Sequence, residues 1–401
     1  MINIQPVTED LFWIGGSDRR LALFENLFPL PNGMSYNSYI LKDEKTALFD
    51  TADAAVDDQF MENLKTCAGE NGLDYVIVLH MEPDHCALLE SVLTAFPGAK
   101  LVSSAKALQL IGQFFPSLKE KAADAMVIKE GDTLCTGKHT LRFVAAPMVH
   151  WPEVMLAYDE VSGTLFSADA FGTFGAIDSR IVRDAEAFCG EFLPEARRYY
   201  TNIVGKYGPQ VQAVLKKAGG LSVSRICSLH GPVWEGDLSG IIGKYDKWSS
   251  YTPEDPDDTV VVYGSMYGHT ASAADAAAAL IAKKTGARVA VYDVSKTDLS
   301  TLIAEIFRCG RLVIFSPTYN NGIYVPIETL LHDMAALGVR DRKVAVAQNG
   351  SWAPSAGAKI MEKLSAMKNM TVSEDMLTIT SSLHAEDMPA LESFADAFAA
   401  L

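Results

Sequence analysis

The sequence predicts a two-domain protein in which an α+β region is followed by an α/β region with a doubly wound parallel sheet. Its 401 residues, 49% of them hydrophobic, are enough to bury two separate cores. Residues 251–258 are polar and interrupted by prolines, as linkers are. Beyond this linker apolar runs alternate regularly with helix-like segments, whereas before it the alternation is irregular. We therefore predict a first domain over 1–250, a linker over 251–258 and a second domain over 259–401.

In the first domain, the segments 35–41 and 46–50 are predicted to be paired strands, and 56–70 is predicted to be a helix. The β-branched run at 75–79 is typical of a buried strand. Later apolar runs predict further strands at 141–146, 154–158, 164–167 and 225–229. Most of these strands end beside polar residues that are able to bind metal ions.

The strand at 75–79 leads directly into His80, Glu82, Asp84 and His85, four potential metal ligands within six residues. A strand fixes the backbone while the following loop directs the ligands, which favours a metal site over an incidental acidic loop. Four ligands exceed what one open catalytic ion requires, so we predict two ions side by side. Imidazole and carboxylate ligands favour iron, manganese or catalytic zinc over structural zinc, which prefers cysteine.

Three distant residues are candidates for the remaining ligands. His150, Asp169 and His230 each stand at or just beyond the end of a predicted strand, and enzyme sites are often assembled at strand ends. A single histidine in such a place is more often structural, and Asp169 alone could cap a helix. Together with the cluster at 80–85 they complete the ligand set and supply a carboxylate able to bridge. Histidines without such neighbours are predicted to lie on the surface: His139, His332 and His384.

The second domain alternates five strands with five helices, as a doubly wound parallel sheet requires. The predicted strands are 259–263, 288–292, 312–315, 343–347 and 377–380. The predicted helices are 271–284, 299–308, 325–337, 356–367 and 386–400. Ligands of this fold bind in the loops at the carboxyl ends of the strands.

Three of those loops suit a phosphorylated aromatic cofactor. The loop 264–270 is rich in hydroxyl groups and opens a helix, but it lacks the lysine of a nucleoside triphosphate loop. It therefore suits a monophosphate held by hydroxyls and backbone amides. The loops 316–322 and 348–352 carry aromatic and amide side chains that would sandwich and hydrogen-bond an isoalloxazine ring.

Composition excludes several classes of partner. The net charge of −16 argues against nucleic acid and anionic membranes as partners. No apolar run approaches the roughly 20 residues of a membrane span, and the first residues do not have the features of a signal peptide. The six cysteines form no C-x-x-C pair, which predicts reduced thiols in a cytoplasmic protein and excludes an attached rubredoxin-type iron site.

These motifs resemble known families. The order His-x-Glu-x-Asp-His, followed by distant His, Asp and His residues, resembles the metallo-β-lactamase superfamily, a four-layer αββα sandwich. Hydrolases of that superfamily usually carry His-x-His-x-Asp-His, whereas Glu82 supplies an anionic oxygen that favours iron over zinc. The loop 265–270 resembles the flavodoxin loop T-x-T-G-x-T, with Tyr267 in place of one threonine. A lactamase-like metal domain followed by a flavodoxin-like domain resembles the flavodiiron proteins over essentially the whole chain.

The resemblance implies a division of the ligands between two iron ions and a set of contacts to FMN. One iron would be held by His80, Glu82 and His150, the other by Asp84, His85 and His230, with Asp169 as the bridge. The implied FMN contacts are Ser265, Met266, Tyr267, Gly268, His269, Thr270, Pro317, Thr318, Tyr319, Asn320, Asn349, Gly350, Ser351 and Trp352.

The resemblance also implies an activity. It predicts an oxidoreductase that reduces dioxygen to water, nitric oxide to nitrous oxide, or both, with electrons delivered through FMN from a donor such as rubredoxin. It further implies a head-to-tail homodimer in which the FMN of one subunit meets the di-iron site of the other. Some members carry an extra pocket histidine that residues 20–34 lack here. Tyr199 and Tyr200 are candidates to line the pocket, although at least one is expected to pack within a helix.

Two alternatives remain open from the sequence. A hydrolase of the lactamase superfamily with a fused flavodoxin-like module would hold two zinc ions, but Glu82 argues against it. A non-catalytic electron carrier would have kept the metal region only as structure, but intact ligands at all seven positions argue against that. Metal analysis distinguishes the first alternative from the flavodiiron hypothesis.

Overall fold

The computed structural model describes residues 2–401 and divides into two compact units. The first unit contains the residues up to Tyr200 together with Pro209–Asp246, and the second contains Thr201–Gly208 and Lys247–Leu401. The short segment Thr201–Gly208 packs with residues that follow it by some forty positions, since the Tyr251 hydroxyl donates a hydrogen bond to the carbonyl of Lys206 at 3.1 Å. No helix among residues 2–401 combines the length and the apolar character that crossing a bilayer requires.

The region before residue 250 is built mainly from short strands. They are β1 (Gln5–Pro6), β2 (Leu11–Trp13), β3 (Gly16–Asp18), β4 (Leu23–Phe24), β5 (Phe28–Pro29), β6 (Met34–Tyr36), β7 (Tyr39–Leu41), β8 (Ala47–Phe49), β9 (Tyr75–Val78), β10 (Lys100–Ser104), β11 (Met126–Ile128), β12 (Thr133–Cys135), β13 (Thr140–Ala145), β14 (Met155–Asp159), β15 (Thr164–Phe166), β16 (Val182–Asp184), β17 (Arg225–Cys227) and β18 (Val233–Glu235). The α-helices are α1 (Asp57–Ala68), α2 (Pro83–Cys86), α3 (Leu89–Ala95), α4 (Ala105–Phe114), α5 (Lys119–Ala123), α6 (Leu193–Tyr199), α7 (Gly208–Ala218) and α8 (Ser239–Ser249).

These strands form the two large sheets that the αββα prediction requires. The first sheet has the order β1-β2-β7-β8-β9-β10-β11, and the second has the order β12-β13-β14-β15-β17-β18-β16. Aromatic residues of both sheets pack together, because Phe49 of β8 stacks on Phe166 of β15 with ring centroids 3.7 Å apart. The predicted fold class of this region is therefore confirmed.

One predicted strand is wrong in its extent. The segment 35–41 divides into β6, which pairs with β3, and β7, which pairs with β8. The break falls at Asn37 and Ser38. The Asn37 backbone N–H donates to the carbonyl of Leu229 at 2.8 Å, and the Ser38 hydroxyl donates to the carbonyl of Asp50 at 2.9 Å. The chain thus crosses here from one ladder towards the loop that carries His230.

The second unit is a doubly wound sheet, as predicted. Its strands are β19 (Asp255–Tyr263), β20 (Val289–Asp293), β21 (Cys309–Tyr319), β22 (Gly322–Ile323), β23 (Lys343–Asn349), β24 (Thr371–Val372) and β25 (Leu377–Ile379). Its helices are α9 (His269–Thr285), α10 (Leu299–Arg308), α11 (Val325–Ala336), α12 (Ala356–Ser365) and α13 (Met388–Ala400). The order is β20-β19-β21-β23, with β24 and β25 both paired to β23, and every one of these pairings is parallel.

Successive residues of the central strand β19 serve the two faces of this sheet. Val260 and Val262 belong to the core beneath α10, α11 and α12, whereas Val261 belongs to the core beneath α9 and α13, as the two-residue period of a strand requires. The strand begins at Asp255, inside the predicted linker, where Asp255 pairs with Cys309 of β21. The Arg308 guanidinium binds both Asp255 and Asp258, at 2.7 and 2.9 Å.

Candidate metal centre

The seven predicted metal ligands converge in the first unit, and all of them are buried. They form two groups, within each of which one candidate ligand atom per residue lies within 4.8 Å of the others. The groups are His80, Glu82, His150 and Asp169, and Asp84, His85 and His230. This division is the one that the resemblance implied, with Asp169 grouped beside the first set.

Asp169 faces both groups through different oxygen atoms. Its Oδ2 lies 3.3 Å from His80 Nε2 and 3.1 Å from His150 Nε2. Its Oδ1 lies 3.1 Å from His85 Nε2 and 3.8 Å from His230 Nε2. A carboxylate that presents one oxygen to each ligand set is able to bridge two ions.

Each group also has a carboxylate of its own. Glu82 Oε2 lies 3.3 Å from His80 Nε2 and 3.1 Å from His150 Nε2. In the other group, Asp84 Oδ2 lies 3.4 Å from His85 Nε2 and 3.2 Å from His230 Nε2. Each half therefore presents two imidazoles and one carboxylate, with Asp169 between them.

The fold supplies these ligands from both sheets of the sandwich. His80 and Glu82 directly follow β9 of the first sheet, and Pro83 then opens the short helix α2, which carries Asp84 and His85. The remaining ligands follow strands of the second sheet: His150 after β13, Asp169 after β15 and His230 after β17. Every half of the centre thus depends on both sheets.

The electrostatics of the centre show mutual stabilisation of opposite charges. Burial opposes protonation of His85, but the carboxylates of Asp84 and Asp169 outweigh it and raise the pKa of His85 to about 9. Burial likewise opposes protonation of His150, and hydrogen bonds to Asp169 and Glu82 raise the pKa of His150 to about 9. The surrounding histidines lower the pKa of Asp169 well below its usual range in spite of its burial. Without a metal, only protons on imidazole would compensate these buried carboxylates.

The donor set fits cations better than protons. Buried atoms without a hydrogen-bond partner among residues 2–401 include both carboxylate oxygens of Asp84, both ring nitrogens of His85 and Nε2 of His230. Such atoms are costly to bury unless they bind an ion. Two divalent ions would bring four positive charges against the three carboxylates of the cluster. Mixed imidazole and carboxylate ligands suit iron or manganese.

Two ligands are held from behind by residues that the sequence did not single out. His80 Nδ1 lies 2.8 Å from Glu153 Oε1, and the same oxygen accepts the backbone N–H of Met81 at 2.9 Å. His230 Nδ1 lies 2.7 Å from the backbone carbonyl oxygen of Ser35. These contacts fix the ring orientation and leave Nε2 of both histidines directed into the centre.

The side chain of Asn37 holds the loop that carries His230 in place through hydrogen bonds. Its side-chain amide donates to the carbonyls of Ser228 at 2.9 Å and Gly231 at 2.7 Å, and its Oδ1 accepts the indole N–H of Trp13 at 2.9 Å. All three bonds are buried. Asn37 therefore holds the ligand loop against the first sheet.

Replacing Asn37 with alanine will destabilise the metal-free protein by about 2 kcal/mol or more, because it leaves the buried Trp13 N–H and Gly231 carbonyl without partners at roughly 1–3 kcal/mol each. The Ser228 carbonyl keeps the hydroxyl of Tyr39 as a donor at 2.7 Å. Urea unfolding followed by tryptophan fluorescence measures the loss. The control is Asn71→Ala at an exposed position, for which a change within about 0.5 kcal/mol is expected. Equal stabilities of the two variants would contradict the role given to Asn37.

Glu25 and Tyr199 complete the surroundings of the centre. Glu25 stands in the turn of the β4–β5 hairpin with a φ of 50°. Glu25 is exposed as a residue, but partial burial of its carboxyl group and the adjacent charge of Glu82 raise the pKa of Glu25 to about 7. The Tyr199 ring packs edge-on against His230 at 5.6 Å, and its buried hydroxyl has no hydrogen-bond partner among residues 2–401. Tyr199 therefore lines the centre, whereas the Tyr200 ring packs against Tyr245.

The raised pKa of Glu25 predicts a pH dependence of the metal-free protein. A carboxyl group whose pKa is higher in the folded than in the unfolded state keeps its proton on folding, so stability falls as the pH rises from about 4.5 towards 7. Glu25→Gln will remove this contribution. The difference in melting temperature between variant and wild type will therefore move in favour of the variant from pH 5 to pH 7.5, as calorimetry of the metal-free proteins measures. A constant difference would refute the prediction.

One surface prediction is wrong. His139 is buried, because its Nδ1 lies 2.8 Å from Asp159 Oδ2 and its Nε2 lies 3.1 Å from Asp10 Oδ2. The paired carboxylates satisfy both ring nitrogens, so His139 is a structural residue. His332 and His384 are exposed, as predicted.

The second unit has a cleft of about 610 Å³ at the carboxyl ends of its strands, a volume typical of cofactor pockets. The cleft is lined by twelve of the predicted FMN contacts, namely Ser265, Met266, Tyr267, His269, Thr270, Pro317, Thr318, Asn320, Asn349, Gly350, Ser351 and Trp352. Tyr319 does not line it, and Gly268 lines an adjoining depression. Three residues that were not predicted line it as well: Asn321, Ala353 and Ser381.

The loops of this cleft are ordered by their own hydrogen bonds. The Ser265 hydroxyl accepts the N–H of Gly268 at 3.1 Å, and Gly268 adopts the φ of 94° that glycine tolerates. The Asn349 side chain donates to the Thr270 hydroxyl at 3.2 Å and so joins two of the loops. The start of helix α9 therefore presents hydroxyl groups and backbone N–H groups to the cleft, which suits a phosphate.

Comparison with known proteins finds a matching family for each of the two units. Residues 34–231 match the family described as ODP family beta lactamase, and residues 261–399 match flavodoxin. The anaerobic nitric oxide reductase flavorubredoxin of Aliivibrio salmonicida is 32% identical over 365 residues, which cover 89% of this chain and 71% of that protein. An uncharacterized protein of Methanocaldococcus jannaschii is 29% identical over 94% of both chains.

Solved structures give the same result. The flavodiiron protein from Giardia intestinalis superposes with a TM-score of 0.91 at 25% identity, covering 100% of this chain and 96% of that one. The rubredoxin oxygen:oxidoreductase from Desulfovibrio gigas superposes with a TM-score of 0.88 at 25% identity, covering 99% and 98%. With its two ligand sets and its cleft at the strand ends, the chain belongs to the flavodiiron proteins.

Proposed function

We propose that this chain is an oxidoreductase that reduces dioxygen to water, nitric oxide to nitrous oxide, or both, at a non-haem di-iron centre that receives electrons through FMN. The observation that carries the proposal is Asp169, which presents one carboxylate oxygen to each of two ligand sets. The relatives named a nitric oxide reductase and a rubredoxin oxygen:oxidoreductase support the two substrates.

Within this proposal the seven converging residues are the metal ligands. His80, Glu82 and His150 would hold one iron, Asp84, His85 and His230 would hold the other, and Asp169 would bridge them. The bound irons and flavin supply the electrons and the place where the gas binds. The ligand set favours iron over the two zinc ions of a hydrolase because Glu82 adds an anionic oxygen.

The protein's own groups prepare the pocket for a gas that takes up protons as it is reduced. Burial, then the nearby carboxylates of Asp169 and Glu82, raises the pKa of Tyr199 well above its usual range, so this hydroxyl keeps its proton at neutral pH. Tyr199 is therefore available as a hydrogen-bond donor beside His230. The hydroxyl and amide groups of the cleft would hold the FMN phosphate, and the rings of Tyr267 and Trp352, each 89% exposed, would flank the flavin.

A head-to-tail homodimer and a rubredoxin-like donor belong to the same proposal. Exposed apolar side chains lie at both sites, with Tyr267 and Trp352 at the cleft and Leu23 and Leu27 in the hairpin around Glu25. Such side chains are typical of surfaces that a partner covers. A monomer in light scattering that retains full turnover would refute the dimer.

We also propose a cytoplasmic location and the division into domains at 1–250 and 259–401.

Anaerobic purification with metal and flavin analysis tests the function. Two irons and one FMN per chain, together with reduction of dioxygen or nitric oxide by the FMN-reduced protein, are the expected result. Two zinc ions, hydrolase activity and no consumption of either gas would overturn the proposal in favour of a lactamase-type hydrolase. Side-by-side turnover with the two gases, at equal concentrations, establishes which one is preferred.

A further inference from the structure

The two halves of the metal centre have matching inner ligands. Each half has two histidines and one carboxylate of its own, Glu82 in one and Asp84 in the other. Asp169 contributes one oxygen to each half. Ligand type and ligand charge therefore do not distinguish the two metal positions.

The groups behind the histidines do distinguish them. In the first half, His80 Nδ1 faces the carboxylate of Glu153 at 2.8 Å. In the second half, His230 Nδ1 faces only the neutral backbone carbonyl of Ser35 at 2.7 Å, and His85 Nδ1 has no hydrogen-bond partner among residues 2–401. A carboxylate thus accepts a hydrogen bond from one ligand set, and neither of these two histidines has such a contact. The buried carboxylate of Asp50 interacts electrostatically with His85, but its Oδ1 accepts the backbone N–H groups of Leu79 and His80.

The charge of Glu153 is directed at His80. Glu153 is 2% exposed, and Oε1 accepts both the N–H of Met81 and the proton on His80 Nδ1. Its Oε2 is buried without a partner among residues 2–401. The positive charge that compensates the Glu153 carboxylate would therefore come mainly from the imidazole of His80 and from a metal ion bound to that imidazole. A carboxylate behind a metal-bound imidazole fixes its tautomer and makes it a stronger donor.

We infer that Glu153 makes the half formed by His80, Glu82 and His150 the tighter iron position, the one that fills first when iron is scarce. The inference rests on the proposed di-iron function, and Glu153 acts in it as a positioning residue through His80. A protein that holds one iron per chain will carry that iron in the His80 half.

Variants that leave one complete half allow the test. His230→Ala keeps the His80 half, and His150→Ala keeps the half of Asp84 and His85. Anaerobic titration with ferrous iron measures the affinity of the remaining position with and without Glu153→Gln. The glutamine keeps an oxygen acceptor for the N–H of Met81 but removes the charge. We expect the substitution to weaken binding about 10- to 100-fold in the His230→Ala background, with less than about a threefold change in the His150→Ala background.

Two further variants separate charge from folding. Glu153→Asp retains the charge and is expected to recover part of the lost affinity in the His230→Ala background. Asp159→Asn removes another buried carboxylate, 2.8 Å from His139 Nδ1, and is expected to leave both affinities unchanged. If Glu153→Gln weakens both positions equally, or neither, the inference is wrong.

Different experimental results would refute the role of Glu153 and the proposed function. A wild-type protein that binds two irons and reduces a gas, but shows no selective effect of Glu153→Gln, refutes only the inference. A wild-type protein that takes up zinc in preference to iron and consumes neither gas refutes the proposed function, whatever the Glu153 variants show.

Discussion

Asp169→Ala will release iron from both halves of the centre and reduce gas turnover to background. Loss of a residue behind a ligand costs on the order of 10- to 100-fold in affinity or activity, and the loss of a ligand shared by both ions will exceed this. Oδ1 and Oδ2 of Asp169 each lie 3.1 Å from a histidine of a different half, so neither half remains complete. Colorimetric iron analysis after anaerobic gel filtration, with an oxygen or nitric oxide electrode, measures both effects.

The same variant provides its own control. FMN content will remain that of the wild type, because the cleft belongs to the other unit. The metal-free Asp169→Ala protein will be less stable than the metal-free wild type, because the buried histidines that pair with Asp169 lose their counter-charge. Two retained irons, or parallel loss of FMN and fold, would show that Asp169 is not the bridge.

Ser265→Asp will weaken FMN binding strongly and so slow electron delivery, while the iron content stays unchanged. The aspartate retains an oxygen that accepts the N–H of Gly268, as the Ser265 hydroxyl does at 3.1 Å, so the loop keeps its turn. It also places a negative charge against the phosphate. A like-charge contact costs on the order of 3 kcal/mol, which corresponds to a loss of affinity of about a hundred-fold or more.

The matched control for this prediction is Ser272→Asp. Ser272 is exposed on the same helix α9, where its hydroxyl donates to the carbonyl of Gly268, and it lies outside the lining of the cleft. Its substitution adds the same charge to the same helix and is expected to leave FMN affinity close to that of the wild type. Fluorescence titration of the flavin-free proteins measures both affinities. Equal effects of the two substitutions would show that the phosphate is held elsewhere.

The sequence predicted well which side chains converge, because these candidate ligands follow a local rule. His80, His150, Asp169 and His230 come directly after apolar runs, and parallel or packed strands bring such ends together. The second unit was predictable for a related reason, since its apolar strands alternate regularly with helical segments. Helix α10, for example, is predicted at 299–308 and observed as Leu299–Arg308 with Asp298 as its N-cap.

The remaining features depend on contacts between distant residues. Glu153 lies 73 residues from His80, and no local pattern marks it, although a carboxylate three positions after the ligand His150 is a signal worth testing in similar sequences. Asn37 interrupts a strand because its bonds reach Ser228 and Gly231, almost two hundred residues away. Glu25 reaches the centre through a hairpin turn with a positive φ, which sequence periodicity does not indicate.

The origin of every ligand set in two different sheets has a physiological consequence. Metal binding would join the two sheets of the sandwich, because each ion would have ligands from both. The free energy of iron binding would therefore add to the free energy of folding. When iron is scarce, the emptied protein will open more often and expose itself to proteases. We expect the cellular amount of this protein to follow the iron supply even when its rate of synthesis is constant, which would couple respiratory-gas removal to nutrient status without a dedicated regulator.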